Sequence, residues 1–263
     1  MRYTTKVNKR LFDIIGSVVV LGGLAGWWLT HTPAKHPAKA SATTHAPAAA
    51  PAATETDKFN KTQFSTTDPS SLWVIVNKQH PLSPVSYAPN DLRYPNVPLR
   101  VTGATEMQMR TAAASALEQL FAGAKTAGYS LMVSTAYRGY EYQKGLYNGY
   151  VSSQGQAAAD QESARPGYSE HQTGLAVDIR ASDNQCSLDA CFGTLPEGQW
   201  LDANAYRYGF ILRYPADKTA VTGYEYEPWH FRYVGTALAA EMHTQHVETL
   251  EEFFHVSGGA TYR

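Results

Sequence analysis

His31–Asp57 holds ten Ala, four Pro and five Thr in twenty-seven residues without apolar periodicity, which limits what can fold to the chain that follows it. Such a stretch cannot bury enough surface to offset its conformational entropy, and it is predicted to be an extended linker. Ahead of it, Arg2, Lys6, Lys9 and Arg10 precede Ile14–Leu29, sixteen uncharged residues with Trp27-Trp28 at the far end. A basic flank before an apolar run marks a segment that leaves the cytoplasm. The run is short for a span, although Leu11 and Phe12 extend it past Asp13. Residues 1–30 are read as a retained signal-anchor, with a cleaved signal peptide as the alternative, and residues 31–57 as its linker. The small-x-small sites at Ala38-Lys39-Ala40 and Ala40-Ser41-Ala42 lie too far beyond the apolar run for ordinary processing. The remaining residues 58–263 are expected to form one domain, extracytoplasmic and tethered to the cell membrane, and monomeric.

Charge follows this division. Residues 1–57 carry six Lys/Arg against three Asp/Glu, and residues 58–263 carry sixteen against twenty. A mildly acidic body without a basic stripe argues against nucleic acid as a partner. Two cysteines exclude a disulfide-dense mini-protein and a four-cysteine zinc module. Cys186 and Cys191 enclose four residues, and in an exported chain they are predicted to form a local structural disulfide.

In the body, apolar residues at Met109, Ala112, Ala113, Ala116, Leu117, Leu120, Phe121 and Ala124 predict a helix within Thr105–Ala127, ending at Gly128. Tyr129–Tyr137 reads as a strand and Tyr140–Val151 as a second helix. Leu175–Ile179, Phe210–Tyr214 and Trp229–Val234 read as short strands, with helical patterns at Trp200–Tyr208 and Thr236–His246. Helices early and late around short, turn-linked strands favour an α+β class with a small antiparallel sheet over a doubly wound one.

Familiar nucleophile and phosphate signals are missing: there is no Gly-rich phosphate loop, no His-Glu-x-x-His and no Ser-x-x-Lys. What remains is Ser169-Glu170-His171-Gln172-Thr173-Gly174-Leu175-Ala176-Val177-Asp178, and Glu227-Pro228-Trp229-His230 some fifty residues on. Along the strand, Leu175, Val177 and Ile179 share one face while Ala176 and Asp178 share the other. Asp178 thus projects beside a small residue that leaves room for a bound group. Gly174 can turn the chain so that His171 and Asp178 converge. Two imidazoles and one carboxylate, His171, Asp178 and His230, with an open fourth position form a catalytic zinc set. Glu227, three residues before His230, can then take a proton from the attacking water and pass it to a leaving amine. The same residues also suit a hydrogen-bonded core histidine and a turn-capping aspartate, so spacing leaves both readings open.

These two blocks resemble the VanY-like D-alanyl-D-alanine carboxypeptidases, a family of zinc peptidases that includes LD-carboxypeptidases. Ser134-Thr135-Ala136-Tyr137-Arg138, followed by Gln143 and Tyr147, is similar to the family's upstream block, and Val76–Leu92 to its lead-in. The likeness covers roughly residues 72–254. It implies a Hedgehog/DD-peptidase-like α+β fold and one Zn2+ held by His171, Asp178 and His230. It further implies Glu227 as general base and acid, and Arg138 as the arginine near the scissile carbonyl, with Ser169 and Gln143 as further substrate or supporting contacts. A guanidinium in that place can hold a carboxylate or oxyanion through two parallel hydrogen bonds. Trp229 and Tyr214 are expected to wall the pocket.

The activity so implied is removal of the terminal D-alanine from peptidoglycan stem peptides. An LD-carboxypeptidase acting on tetrapeptide stems shares the metal set, and a non-catalytic cell-wall-binding module is a third reading, against which retention of Glu227 argues. His243 and His246 on the closing helix are read as solvated, as are His31, His36 and His45 in the linker.

Overall fold

A four-stranded antiparallel sheet organises the computed structural model, which describes residues 59–263. The expected signal-anchor and linker lie outside these residues. Among the described residues, no helix is long and apolar enough to cross a membrane. In chain order the elements are β1 (Leu92–Arg93), β2 (Met109–Arg110), α1 (Thr111–Thr126), β3 (Leu131–Thr135), α2 (Tyr140–Gln154), α3 (Gln156–Glu162) and β4 (Ala176–Ala181). There follow α4 (Pro196–Asn204), β5 (Phe210–Leu212), α5 (Thr219–Thr222), β6 (His230–Tyr233), α6 (Thr236–Gln245) and α7 (Leu250–Phe254). The sheet order is β3-β4-β6-β5, and β1 pairs β2 in a separate two-residue ladder. The α+β class with a small antiparallel sheet and flanking helices is the architecture observed.

Helix α1 begins six residues later than the apolar pattern suggests. Thr105–Met107 form a 3-10 turn, and Met109–Arg110 pair with β1. Both methionines are fully buried, so they extend the apolar pattern without extending the helix. The Thr111 amide and hydroxyl both donate to Asp91 O, fixing where the helix starts. Within α1 it is Ala114 that is buried, while Ala112 is exposed.

The buried stripe of α1, centred on Leu117, Leu120 and Phe121, packs in one core with Val133, Val177, Ile179, Phe210 and Phe231. A second core gathers Trp73, Ile75, Ile211, Leu238, Met242 and Phe253, where the Trp73 indole donates to Val234 O at 3.0 Å. The strand alternation then has a consequence for β4 and β6. Val177, Ile179 and Phe231 go to the α1 core, so Ala176, Asp178, His230 and Arg232 point the other way. Register pairs Asp178 directly with His230, and Ala176 with Arg232.

Candidate active site

Cross-strand pairing is what brings the first two predicted ligands together, since directly opposed residues have Cβ atoms about 5 Å apart. His230 Nδ1 lies 3.2 Å from Asp178 Oδ1. His171 arrives from a 3-10 turn, Glu170–Thr173, that ends on Gly174 in the left-handed region at φ +68. A Cβ at Gly174 would sit 2.9 Å from Leu92 Cδ2 and 3.0 Å from Arg110 Cγ, so the turn requires glycine for space as well as for φ. His171 Nδ1–H donates to Ala136 O, which leaves Nε2 facing Asp178 Oδ1 at 3.4 Å. The donor atoms of His171, Asp178 and His230 all lie within 4.8 Å of one another, and all three residues are buried.

A dication fits this donor set. Asp178 Oδ1 is buried and has no hydrogen-bond partner, although both imidazoles converge on it. Its carboxyl is held far below the usual range: burial opposes the charge, but the two histidines outweigh it. His171 is pushed down to about 4 by burial and by Arg138, so it is neutral, as a ligand must be. On His230 burial disfavours charge, yet the nearby Asp178, Glu170 and Glu227 carboxylates raise it to about 9. The carboxylates around His230 form a negative locus that a metal ion would occupy, with His230 deprotonated as a ligand.

Glu227 enters through a turn. The His230 amide donates to Glu227 O at 3.0 Å, and Pro228 supplies the fixed φ of the turn's second residue. The carboxylate reaches within 3.6 Å of His230 Nδ1 while 22% of the side chain stays exposed. Burial pushes its carboxyl up to about 7, reinforced by Asp178 and Glu170 and opposed by His230 and Arg138. A bound cation would draw that value back down. Glu227 is thus placed to take and return a proton beside the donor set.

Arg138 faces the same space, its Nη1 3.7 Å from Asp178 Oδ2. Its position is set from behind, because Nε donates to Gln143 Oε1 at 3.0 Å and its backbone amide donates to His171 O. Gln143 itself is fully buried, and its amide donates onward to Ser163 Oγ and Ala164 O. It lies outside the cleft lining and aims Arg138, where direct substrate contact was among the expectations. Ser169, Tyr214 and Trp229 do line the cleft, which has a volume of about 560 Å3. The Tyr214 ring lies 4.8 Å from that of His230. Cys186 and Cys191 are joined as a disulfide, and Leu188, Asp189 and Ala190 from the loop between them border the cleft.

Beneath the site is a buried ion network that sequence spacing did not reveal. Glu170 Oε1 accepts from Arg213 Nε and Arg232 Nη1, each at 2.8 Å, and Arg213 also pairs with Glu251 at 2.7 Å. All four side chains are almost wholly buried. The other oxygen, Glu170 Oε2, lies 3.7 Å from His230 Nε2, and neither atom has another partner. Glu170 therefore backs His230 on the side away from Asp178, leaving Nδ1 as the nitrogen that would ligate a metal. Ala176, the small residue beside Asp178, lies opposite Arg232 in the register. His243 and His246 are exposed, and neither belongs to a three-donor group among the described residues.

Residues 106–236 match the VanY family, D-alanyl-D-alanine carboxypeptidase. The chain is 44% identical over 188 residues to the putative carboxypeptidase YodJ of Bacillus subtilis, covering 71% of this chain and 68% of that one. Among solved structures, the LD-carboxypeptidase LdcB is similar at a TM-score of 0.68 and 42% identity, over 73% of this chain and 89% of that one. A variant of the vancomycin-resistance D,D-pentapeptidase VanY in complex with Zn(II) is similar at 0.56 and 35%, over 71% and 99%.

Proposed function

The chain belongs to the VanY family of D-alanyl-D-alanine carboxypeptidases, and from that premise we propose that it removes the terminal D-alanine of peptidoglycan stem peptides as a zinc-dependent hydrolase. The observation that carries this is the meeting of His171, Asp178 and His230 with Glu227 at 3.6 Å and Arg138 at 3.7 Å in one cleft. Zinc held by the three ligands supplies Lewis acidity toward water and the scissile carbonyl. Arg138 binds the substrate's carboxylate or the oxygen on which charge develops. Glu227 accepts a proton from the attacking water and delivers it to the amine nitrogen as the C–N bond breaks. The water oxygen ends in the new carboxylate, and D-alanine leaves.

Cleavage of a tetrapeptide stem after an L-centred residue is the second reading, favoured by the likeness to LdcB, an LD-carboxypeptidase. Incubating the zinc-loaded chain with penta- and tetrapeptide stems and weighing the products decides between them. Loss of one D-alanine from the pentapeptide is expected. Cleavage of the tetrapeptide alone would reverse the assignment, and zinc binding without any turnover would leave a wall-binding module. We further propose that the N-terminal basic flank and apolar run anchor the enzyme in the cell membrane, with the Ala/Pro/Thr linker holding a monomeric domain on the outer side, where that substrate lies. Membrane fractionation with protease accessibility of the domain tests this.

A further inference from the structure

The disulfide loop presents an apolar side chain that the chemistry above does not use. Asn184, Cys186 and Leu188 all adopt left-handed backbone, at φ 67, 48 and 54. L-residues adopt it reluctantly, so three such residues within five need restraint. The restraints are visible. The disulfide closes Cys186 to Cys191, and Cys186 packs on the main core. The Asp189 carboxylate accepts from the Cys191 amide at 2.8 Å, and the Asn184 amide donates to Ala181 O. The outcome is that Leu188 stands outward with 46% of its surface exposed.

Five other large apolar side chains are similarly exposed among the described residues, and Leu188 alone of them lines the catalytic cleft. Leu146 and Tyr150 on α2 line the same cleft. Together with the rings of Tyr214 and Trp229, these three give a cleft rich in polar and charged groups an apolar part of its wall. A carboxypeptidase releases one residue, so the rest of its substrate lies on the amino side of the scissile bond and passes out through the cleft mouth. We propose that Leu188, held out by its disulfide-pinned turn, is a specificity residue that packs on the methylene-rich side chain of the stem residue preceding D-Ala-D-Ala. The inference rests on the carboxypeptidase reading.

Two capped tripeptides ending in D-Ala-D-Ala test it, one beginning with Nε-acetyl-lysine and the other with alanine. Burying two methylenes is worth about tenfold in affinity, so the wild type should favour the lysyl peptide by about tenfold in kcat/KM, expressed in KM. Leu188→Ser should reduce that preference to about twofold with kcat and melting temperature unchanged. The double change Cys186→Ser, Cys191→Ser should do the same by releasing the turn. A wild type without preference, or variants that keep it, would overturn the role of Leu188 alone. A zinc-loaded wild type that hydrolyses neither peptide would overturn the D,D-carboxypeptidase reading, on which this inference rests, and the inference with it.

Discussion

Replacing Glu170 with Gln separates the ion network's contribution to the metal from its contribution to the fold. Glu170, Glu251, Arg213 and Arg232 are two negative and two positive charges, almost wholly buried. The substitution leaves one positive charge uncompensated inside the protein, and breaking a buried pair in this way costs about 3–5 kcal/mol. The change also removes the anionic acceptor 3.7 Å from His230 Nε2. Loss of such an outer partner weakens metal binding about 10- to 100-fold. At a free zinc concentration 100 times the wild-type Kd, bound zinc stabilises the wild type by about 2.7 kcal/mol. The variant at the same concentration should gain only about 1.4 to 0.4 kcal/mol. Thermal melts with and without zinc therefore give two numbers. One is a lowered Tm of the metal-free protein, and the other is a smaller zinc-induced rise. Titration against a competing chelator supplies the Kd independently. A variant whose metal-free Tm falls while its zinc Kd stays at the wild-type value would show that the network only supports the fold, and would refute the role assigned to Glu170 behind His230.

Three further substitutions probe the cleft and its surroundings. Glu227→Gln should retain stoichiometric zinc by elemental analysis while kcat falls about 10²- to 10⁴-fold, the contribution of a positioned acid–base group. Gln143→Ala frees Arg138 Nε and should lower kcat/KM about tenfold with zinc content unchanged, as steady-state kinetics on a stem pentapeptide would record. Asp160 accepts from Arg165 and from Tyr147 Oη at 2.7 Å, and its carboxyl is held below the ordinary value chiefly by Arg165. Its contribution is therefore full above pH about 4 and fades as pH falls through the depressed folded value. Asp160→Asn should cost about 1–3 kcal/mol in urea unfolding at pH 7, with the gap to wild type closing under acid.

Which parts of the site the sequence disclosed follows from how far apart the partners lie. His171, Gly174 and Asp178 fall within one short block, and Glu227 and His230 within one turn. Local turn chemistry and strand alternation are enough to aim those side chains, so the zinc set was legible. Only the pairing of the two blocks needed the sheet register, Asp178 against His230. Gln143 shows the opposite case. Its sequence position beside Arg138 is suggestive of substrate contact, but its burial and its bonds to Ser163 and Ala164 are fixed by how α2 meets the chain after α3. The apolar pattern overshoots the start of α1 for a related reason, since buried Met109 continues a helical stripe when read without its strand partner Arg93.

The ion network carries this furthest. Glu170 meets Arg213 and Arg232 across 43 and 62 residues, and no short-range pattern links them. Yet one of its conditions is local. On β6, His230 and Arg232 must share a face because they are two residues apart, and the same holds for Ala176 and Asp178 on β4. Any register that sets Asp178 against His230 therefore sets Ala176 against Arg232. The pairing that makes the metal site also delivers an arginine beneath it, and the small side chain at 176 leaves that arginine room to reach Glu170. Exchanging Ala176 for Leu should then displace Arg232 and weaken zinc binding without touching a ligand. Zinc affinity unchanged in a folded Ala176→Leu variant would break the link drawn here between register, arginine and metal.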